Sequence, residues 1–493
     1  MMTIIKLHRL VGPPKRAGSG VGRRNYYDHK CHILIAAKRM ILMESSCPPA
    51  ITPKYQTGKV NQEILLYKGR MTLARGSGAV DGTGQLKWVW QPDPIVRFEW
   101  RPDPTPSFHP LPGDYDVRIS GYQDSTGILV GSFVDSNRTL CIWGFLTGPV
   151  REWQPDAKIA KLRFHVPNYH NYMGAPIAYP DGRGCPGRLT FLTEDWRITL
   201  DQAEGWGHPS NFEGLHGRAR LEAGHAISHA GLLERADGAP FQWAESGSVL
   251  EVFRLFLSFV LGRWTAPILL VGTDTGGKEA SQWEAARVDR CNDRYSWLPQ
   301  YPHSGQPDMT KAWQGFSALA EAWNDRLAVC LEWCLQASRT DVPATGIVFA
   351  QAALELLFYL VIVEPATLRN VENKLVFSDT LRLLLHHCKI GSDIPGGLVN
   401  LMAVAKKSNL SDGPHAINEV RNSIMHGSKV DKLIKSDTLV LNDIRQLGLW
   451  YIELILLYQM GYGGQIVDSR IGGNGRVISP PWAKAEGSGG GGV

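Results

Sequence analysis

What this 493-residue sequence lacks narrows it first. Its eight cysteines, at 31, 47, 141, 185, 291, 330, 334 and 388, form no C-x-x-C pair, which sets aside zinc ribbons and thioredoxin-type redox motifs. Cys330 and Cys334 stand one turn apart on an expected helix and read as core residues. The scattered pattern fits a reducing, cytoplasmic setting. A convincing membrane span is missing too, because the apolar run 346–363 carries Gln351 and Glu355. So is a secretory leader, since the apolar run 33–43 is short and interrupted by Lys38 and Arg39. Bulk charge of one sign is confined to one end. Residues 1–42 hold nine Lys/Arg against one acid, Asp28, a net of +8; with +5 overall, the other 451 residues sum to −3. The body is therefore not a nucleic-acid binder by bulk charge, and any RNA contact has to be local.

What is present is ordinary globular material, 43% apolar and 20% charged, with sixteen tryptophans that point to aromatic-rich cores. The length allows two or three domains. Residues 1–52 are basic and loop-like, a disordered or mis-started segment. One reading is a nucleic-acid-binding arm; the other takes Met43 as the first residue, and the sharp change of composition there favours it. Residues 53–245 alternate short apolar runs with Gly, Pro, Asn and Asp, as in 86–90, 95–100, 116–120, 127–134, 139–145 and 189–192. They predict a β-rich region, a sandwich or a heavily curved sheet. Trp88, Trp90 and Trp100 there suit a core better than a stacking platform for bases. Residues 246–300 add an amphipathic helix and connecting elements that complete the N-terminal region. After a Pro- and Gly-rich linker at 295–308 the pattern turns helical, with helices expected at 310–338, 343–364, 371–389, 396–408, 414–426 and 437–461. An all-α bundle over 309–462 follows, and then a flexible Gly-rich tail over 463–493. The fold class is α+β multidomain.

Two stretches imitate known sites. His208, His216, His225 and His229 cluster, but 219–227 alternates like a strand. That would set His225 and His229 about 13 Å apart on one face, too far to share a metal. Residues 272–278, G-T-D-T-G-G-K, satisfy G-x-x-x-x-G-K. The hydroxyl that would follow the lysine and bind magnesium is replaced by Glu279, and Asp274 adds negative charge, so a hairpin turn is expected instead of an NTPase loop.

The stretch that carries chemistry is 412–429, D-G-P-H-A-I-N-E-V-R-N-S-I-M-H-G-S-K. Asp412 is an N-cap residue, Pro414 suits a first helical turn and Gly427 suits the position past a helix. A helix over 414–426 places Ile417, Val420 and Ile424 on one face. Arg421 falls at the border, and Asn422 and His426 turn the other way, toward solvent, a ligand or another subunit. An Arg and a His together can hold a phosphate and move protons around it, the His favoured as imidazolium in the last turn.

Arg421, Asn422 and His426 resemble the signature of HEPN domains (higher eukaryotes and prokaryotes nucleotide-binding), R-[polar]-x(3 to 5)-H near a helix end. The surrounding A-I-N-E-V-R-N-S-I-M-H-G reads like the Apea-like branch, and the resemblance covers about the last third of the chain. It implies a C-terminal HEPN helical bundle and a metal-independent endoribonuclease that needs no cofactor. RNA would supply its 2′-hydroxyl as nucleophile, His426 the acid and base, Arg421 the phosphate clamp, and Asn422 the orientation of phosphate or imidazole. The products would carry 2′,3′-cyclic phosphate and 5′-hydroxyl ends. Glu355, at a place where the family often has a Glu, is the candidate supporting residue, pairing with Arg421 or His426 across the bundle. The resemblance also implies a homodimer that joins two motif helices, and a role in defence against phage. The β-rich region would then sense a phage-derived or nucleotide trigger. The alternatives are a non-catalytic HEPN module that binds nucleotides or a partner, an NTPase using 272–278, and a carbohydrate- or protein-binding β-module on a helical oligomerisation domain.

Overall fold

The computed structural model describes residues 47–103, 111–134, 139–154, 156–207, 211–292, 297–299, 309–366, 375–425, 437–471 and 475–484. The first β-rich stretch is a closed six-stranded barrel made of β1 (Ile64–Arg75), β2 (Gly78–Val89), β3 (Ile95–Pro102), β4 (Gly113–Ile119), β5 (Ser125–Val134) and β6 (Leu140–Leu146), in the order β1-β2-β3-β6-β5-β4. The strong curvature expected from the sequence becomes full closure, because β1 also pairs with β4 and β3 with β6. Closure leaves no sheet edge. Trp88, Trp90 and Trp100 are all buried. Trp100 donates its indole N–H to the Met71 carbonyl at 3.0 Å and lies opposite Gly84. A Cβ at Gly84 would sit 2.7 Å from the Glu99 carbonyl, so only glycine fits there.

The chain continues through β7 (Val150–Arg151), β8 (Lys158–Ile159) and β9 (Lys161–Pro167). Around β10 (Ala175–Ala178) a small separate unit comprises residues 47–49 and 176–185 of the described chain, held by the Ala178 N–H donating to the Pro48 carbonyl at 3.0 Å. Then come β11 (Gly184–Leu192), β12 (Trp196–Gln202), α1 (Leu215–Leu221), β13 (Ile227–Arg235), β14 (Phe241–Gln242), α2 (Glu245–Leu261), β15 (Ile268–Thr273) and β16 (Glu279–Trp283). Seven strands form a sheet in the order β11-β12-β13-β9-β15-β16-β7.

This sheet has two buried faces. From β9, Leu162, Phe164 and Val166 join the large core shared with α2 and the helical bundle. His165 points the other way, against Tyr55 of the barrel-side core. With both faces covered, residues that alternate with the apolar ones are buried too, as His165 in β9 and Ser281 in β16 are.

The bundle consists of α3 (Met309–Trp323), α4 (Asp325–Arg339), α5 (Pro343–Phe358), a π-helical turn (Tyr359–Val363), α6 (Phe377–His387), α7 (Val399–Ser408), α8 (Gly413–Met425) and α9 (Thr438–Gln459). The single helix expected at 310–338 is two, broken at Asn324, whose φ of 50° and ψ of −135° cannot continue a helix. The segment Pro343–Val363 has the length and composition of a membrane span. It lies instead along the bundle's centre, with Leu354 and Leu357 buried, packed on α4 and α9.

Two expectations of loose chain are corrected over the residues described there. In the expected linker, Trp297 and Leu298 are fully buried, and Trp297 donates to the Phe259 carbonyl at 3.2 Å. In the expected tail, β17 (Ile466–Val467) pairs with β18 (Val477–Ile478), and Arg470 bonds Glu453 of α9 at 2.6 Å with both side chains buried. An aromatic anchor holds 297–298 and a buried ion pair holds the described part of the tail around Arg470. The 1–46 and 485–493 ends lie outside the described residues.

Candidate functional site

The helix that carries the motif begins as its sequence dictates. Asp412 Oδ1 accepts the His415 N–H at 2.9 Å, the N-cap bond. The same carboxylate accepts from Arg382 of α6, Nε to Oδ2 at 2.6 Å and Nη2 to Oδ1 at 2.9 Å. Burial pushes its pKa up, but the Arg382 bonds, the His415 amide and the Arg382 charge outweigh this and hold it below the ordinary carboxyl value. Gly413 donates to the Ser392 carbonyl at 2.9 Å, and a Cβ there would meet the Tyr451 hydroxyl at 2.3 Å. The helix start is thereby clamped against α6 and α9. Ala416 and Ile417 are buried, and Val420 and Ile424 pack half-buried on the core, the apolar face expected.

The opposite face opens on a cavity of about 590 Å³ between α5 with its π-helical turn, α6 and α8. Arg421, Asn422 and Asn418 line it from α8, and Gln351 and Glu355 from α5. Its apolar lining includes Phe358, Tyr359 and Phe377. Arg421 and Asn422 are half-buried and joined by a 3.3 Å bond from Nη1 to Oδ1. Glu355 takes its hydrogen bond from Gln351 Nε2 at 2.7 Å. It shares the cavity with Arg421 without an ion pair between them among the described residues. So Arg421, Asn422 and Glu355 converge, while His426 lies outside the described residues, one position beyond Met425. Asn418 and the π-helical turn were missed from sequence. Asn418 lies one turn before Asn422 on the same face, the signal that would have found it. The π-turn has no local sequence mark, though such turns gather at functional sites.

The other candidates resolve differently. The stretch 219–227 is not a strand: α1 covers Leu215–Leu221 and β13 begins at Ile227. His225 therefore sits in the connection between them, outside the strand that carries His229. His216 stacks on Trp206 at 4.3 Å between centroids, His225 on Trp90 at 5.5 Å, and His229 meets the Tyr169 ring edge at 5.3 Å. Burial lowers the pKa of His225 to about 4 and of His229 to about 3. His225 and His229 are neutral core histidines, His216 is buried as well, and among the described residues no group of three or more His, Cys, Asp or Glu is placed to hold a metal. His208 lies outside the described residues.

Residues 274–278 turn the β15–β16 hairpin, with Thr273 opposite Glu279. Asp274 Oδ1 accepts the amides of Gly276 at 2.8 Å and Lys278 at 2.9 Å. The loop's amides serve its own carboxylate, and a strand follows where a phosphate loop needs a helix.

A second cavity, of about 500 Å³, lies beside α2 and takes in Arg151, Arg254 and Arg287. Its cations are largely engaged: Arg254 with Glu251 at 2.6 Å, Arg287 with Glu332 at 2.8 Å, and Arg151 with Gln282 at 3.2 Å.

Comparison with known proteins gives two family matches. Residues 154–294 match the YopA central domain, the region of the two-faced sheet, and residues 320–471 match the YopA C-terminal domain, which contains the whole cavity. No solved structure matches. The SPbeta prophage-derived uncharacterized protein YopA of Bacillus subtilis (strain 168) is 24% identical over 428 residues, 83% of this chain and 92% of the relative. Over most of its length, then, this chain is similar to YopA, through both the central and the C-terminal domain.

Proposed function

We propose that the protein is a HEPN-type endoribonuclease whose catalytic groups are Arg421, Asn422 and His426, with Glu355 in support. The observation that carries this reading is the convergence of Arg421, Asn422 and Glu355 on one cavity, from helices far apart in sequence. Arg421 holds the scissile phosphate and offsets the charge that builds on it. His426 takes the proton from the 2′-hydroxyl and returns one to the departing 5′-oxygen. Asn422, bonded to the Arg421 guanidinium, keeps that fork aimed. The chemistry needs a cation and a group that titrates near neutral pH, both supplied by side chains, so it calls for no metal or cofactor. Two copies joined through the motif helices would double the Arg–His set, and the exposed Met425 at the end of α8 offers apolar surface for that contact.

In this reading the protein acts in the cytoplasm, on RNA, in phage defence, with the barrel and sheet as the part that senses a phage-derived or nucleotide trigger. A relative carried by a prophage fits a phage context. The test is cleavage of total RNA and tRNA in EDTA by the wild type, Arg421→Ala and His426→Ala. Loss in both variants, with 2′,3′-cyclic phosphate ends in the wild type, is expected. Cleavage that survives both substitutions overturns the site. A protein that binds nucleotide but never cuts would be the non-catalytic module.

A further inference from the structure

We infer that Gln351 and Glu355 form a base-reading edge of this cavity and that the base it takes is guanine. The inference rests on the reading of Arg421 as the phosphate-holding group. Gln351 is 3% exposed and Glu355 lies one turn later on α5; both line the cavity. The 2.7 Å bond from Gln351 Nε2 to Glu355 Oε1 fixes the amide, because a carboxylate only accepts. Gln351 Oε1 is therefore turned elsewhere, and it is buried with no hydrogen-bond donor. Glu355 forms no ion pair among the described residues. What α5 presents to the cavity is thus the acceptor-only Glu355 carboxylate, held by a buried amide whose own oxygen has no partner.

A partner edge has to donate two adjacent hydrogens. Guanine does so from N1 and N2. Adenine and cytosine offer one exocyclic amine beside a ring acceptor, and uracil offers N3–H between two carbonyls, so each sets an acceptor against the carboxylate. Tyr359, 43% exposed, and the half-buried Phe377 border the same cavity and give ring faces for stacking. The volume of about 590 Å³ is of the size that holds small ligands. Arg421 and Asn422, from the facing helix, supply the groups for the attached phosphate.

The test is calorimetric titration of the full chain with guanosine, inosine and adenosine 3′-monophosphates. Inosine lacks only the N2 amine. Guanosine is expected to bind about tenfold or more tighter than either competitor, the loss that follows removal of a hydrogen bond to a charged group. Glu355→Gln, at an exposed position and checked for an unchanged circular dichroism spectrum, is expected to bring guanosine to within about threefold of adenosine. Equal binding of the three nucleotides, no binding at millimolar concentration, or discrimination that survives Glu355→Gln overturns the assignment. Cleavage of single-stranded RNA separates this from the catalytic reading. Cutting without base preference removes the guanine edge and leaves the nuclease. Guanosine-selective binding without any cutting keeps the edge and removes the nuclease.

Discussion

Replacing Asp412 tests how the motif helix is held. Its carboxylate does two jobs at once, capping α8 through the His415 amide and pairing with Arg382 of α6. Loss of a cap costs about 1 kcal/mol. The ion pair is part-buried, 12% exposed at Asp412 and 35% at Arg382, and solvent screening on the arginine side limits it to about 1 kcal/mol. Asp412→Ala is therefore expected to cost about 2 kcal/mol, read as a lower urea midpoint and a fall in Tm of up to about 8 °C. Asp412→Asn keeps an oxygen for the His415 N–H and loses only the charge, so it is expected to cost about half as much. The pH dependence follows from a folded pKa below the ordinary 3.8. The unfolded chain takes up the proton first as pH falls, so the wild type's advantage over Asn is complete above that value. It disappears as pH drops through the lower folded one. An Ala variant within about 0.5 kcal/mol of wild type would refute the reasoning. So would an Asn variant as damaged as Ala, or an advantage undiminished in strong acid.

Two further outcomes are expected. Arg470→Met leaves the buried Glu453 carboxyl without its partner and is expected to cost about 3–5 kcal/mol, while Arg470→Met with Glu453→Leu recovers most of that in urea unfolding. Burial lowers the pKa of His165 to about 4, and those of His225 and His229 to about 4 and 3. His165 is also locked in its neutral form, its Nε2 accepting from the Tyr55 N–H at 3.1 Å and its Nδ1 facing the Leu269 carbonyl at 3.1 Å. Below the ordinary 6.5 the unfolded chain binds protons that the folded one does not. Stability is therefore expected to fall by up to about 1.4 kcal/mol per pH unit for each histidine, measured by urea unfolding between pH 7 and 5. His165→Gln is expected to reduce that slope, and a flat profile contradicts the burial argument.

The sequence by itself determined the local events, because their causes are local. Asp412, Pro414 and the i, i+3, i+7 apolar positions set the start and inner face of α8. The alternating runs set the strands of the barrel, and Gly276–Gly277 with Asp274 set the hairpin that looks like a phosphate loop. Asn324 was the local break that periodicity alone passed over, since Leu, Cys and Trp continue the helical pattern on both sides of it.

Only the tertiary structure decided what depends on pairs distant in the chain. The barrel closes through β1 with β4 and β3 with β6, register choices that no single strand encodes. His165, His225 and His229 are neutral because neighbouring rings and sheet faces exclude water from them. Gln351 and Glu355 sit on an apolar helix whose sequence gives no reason for them. Only when α5, α6 and α8 pack do these two side chains come to line one cavity with Arg421 and Asn422. Helix periodicity fixes which way a side chain leaves its own axis; packing fixes what it meets.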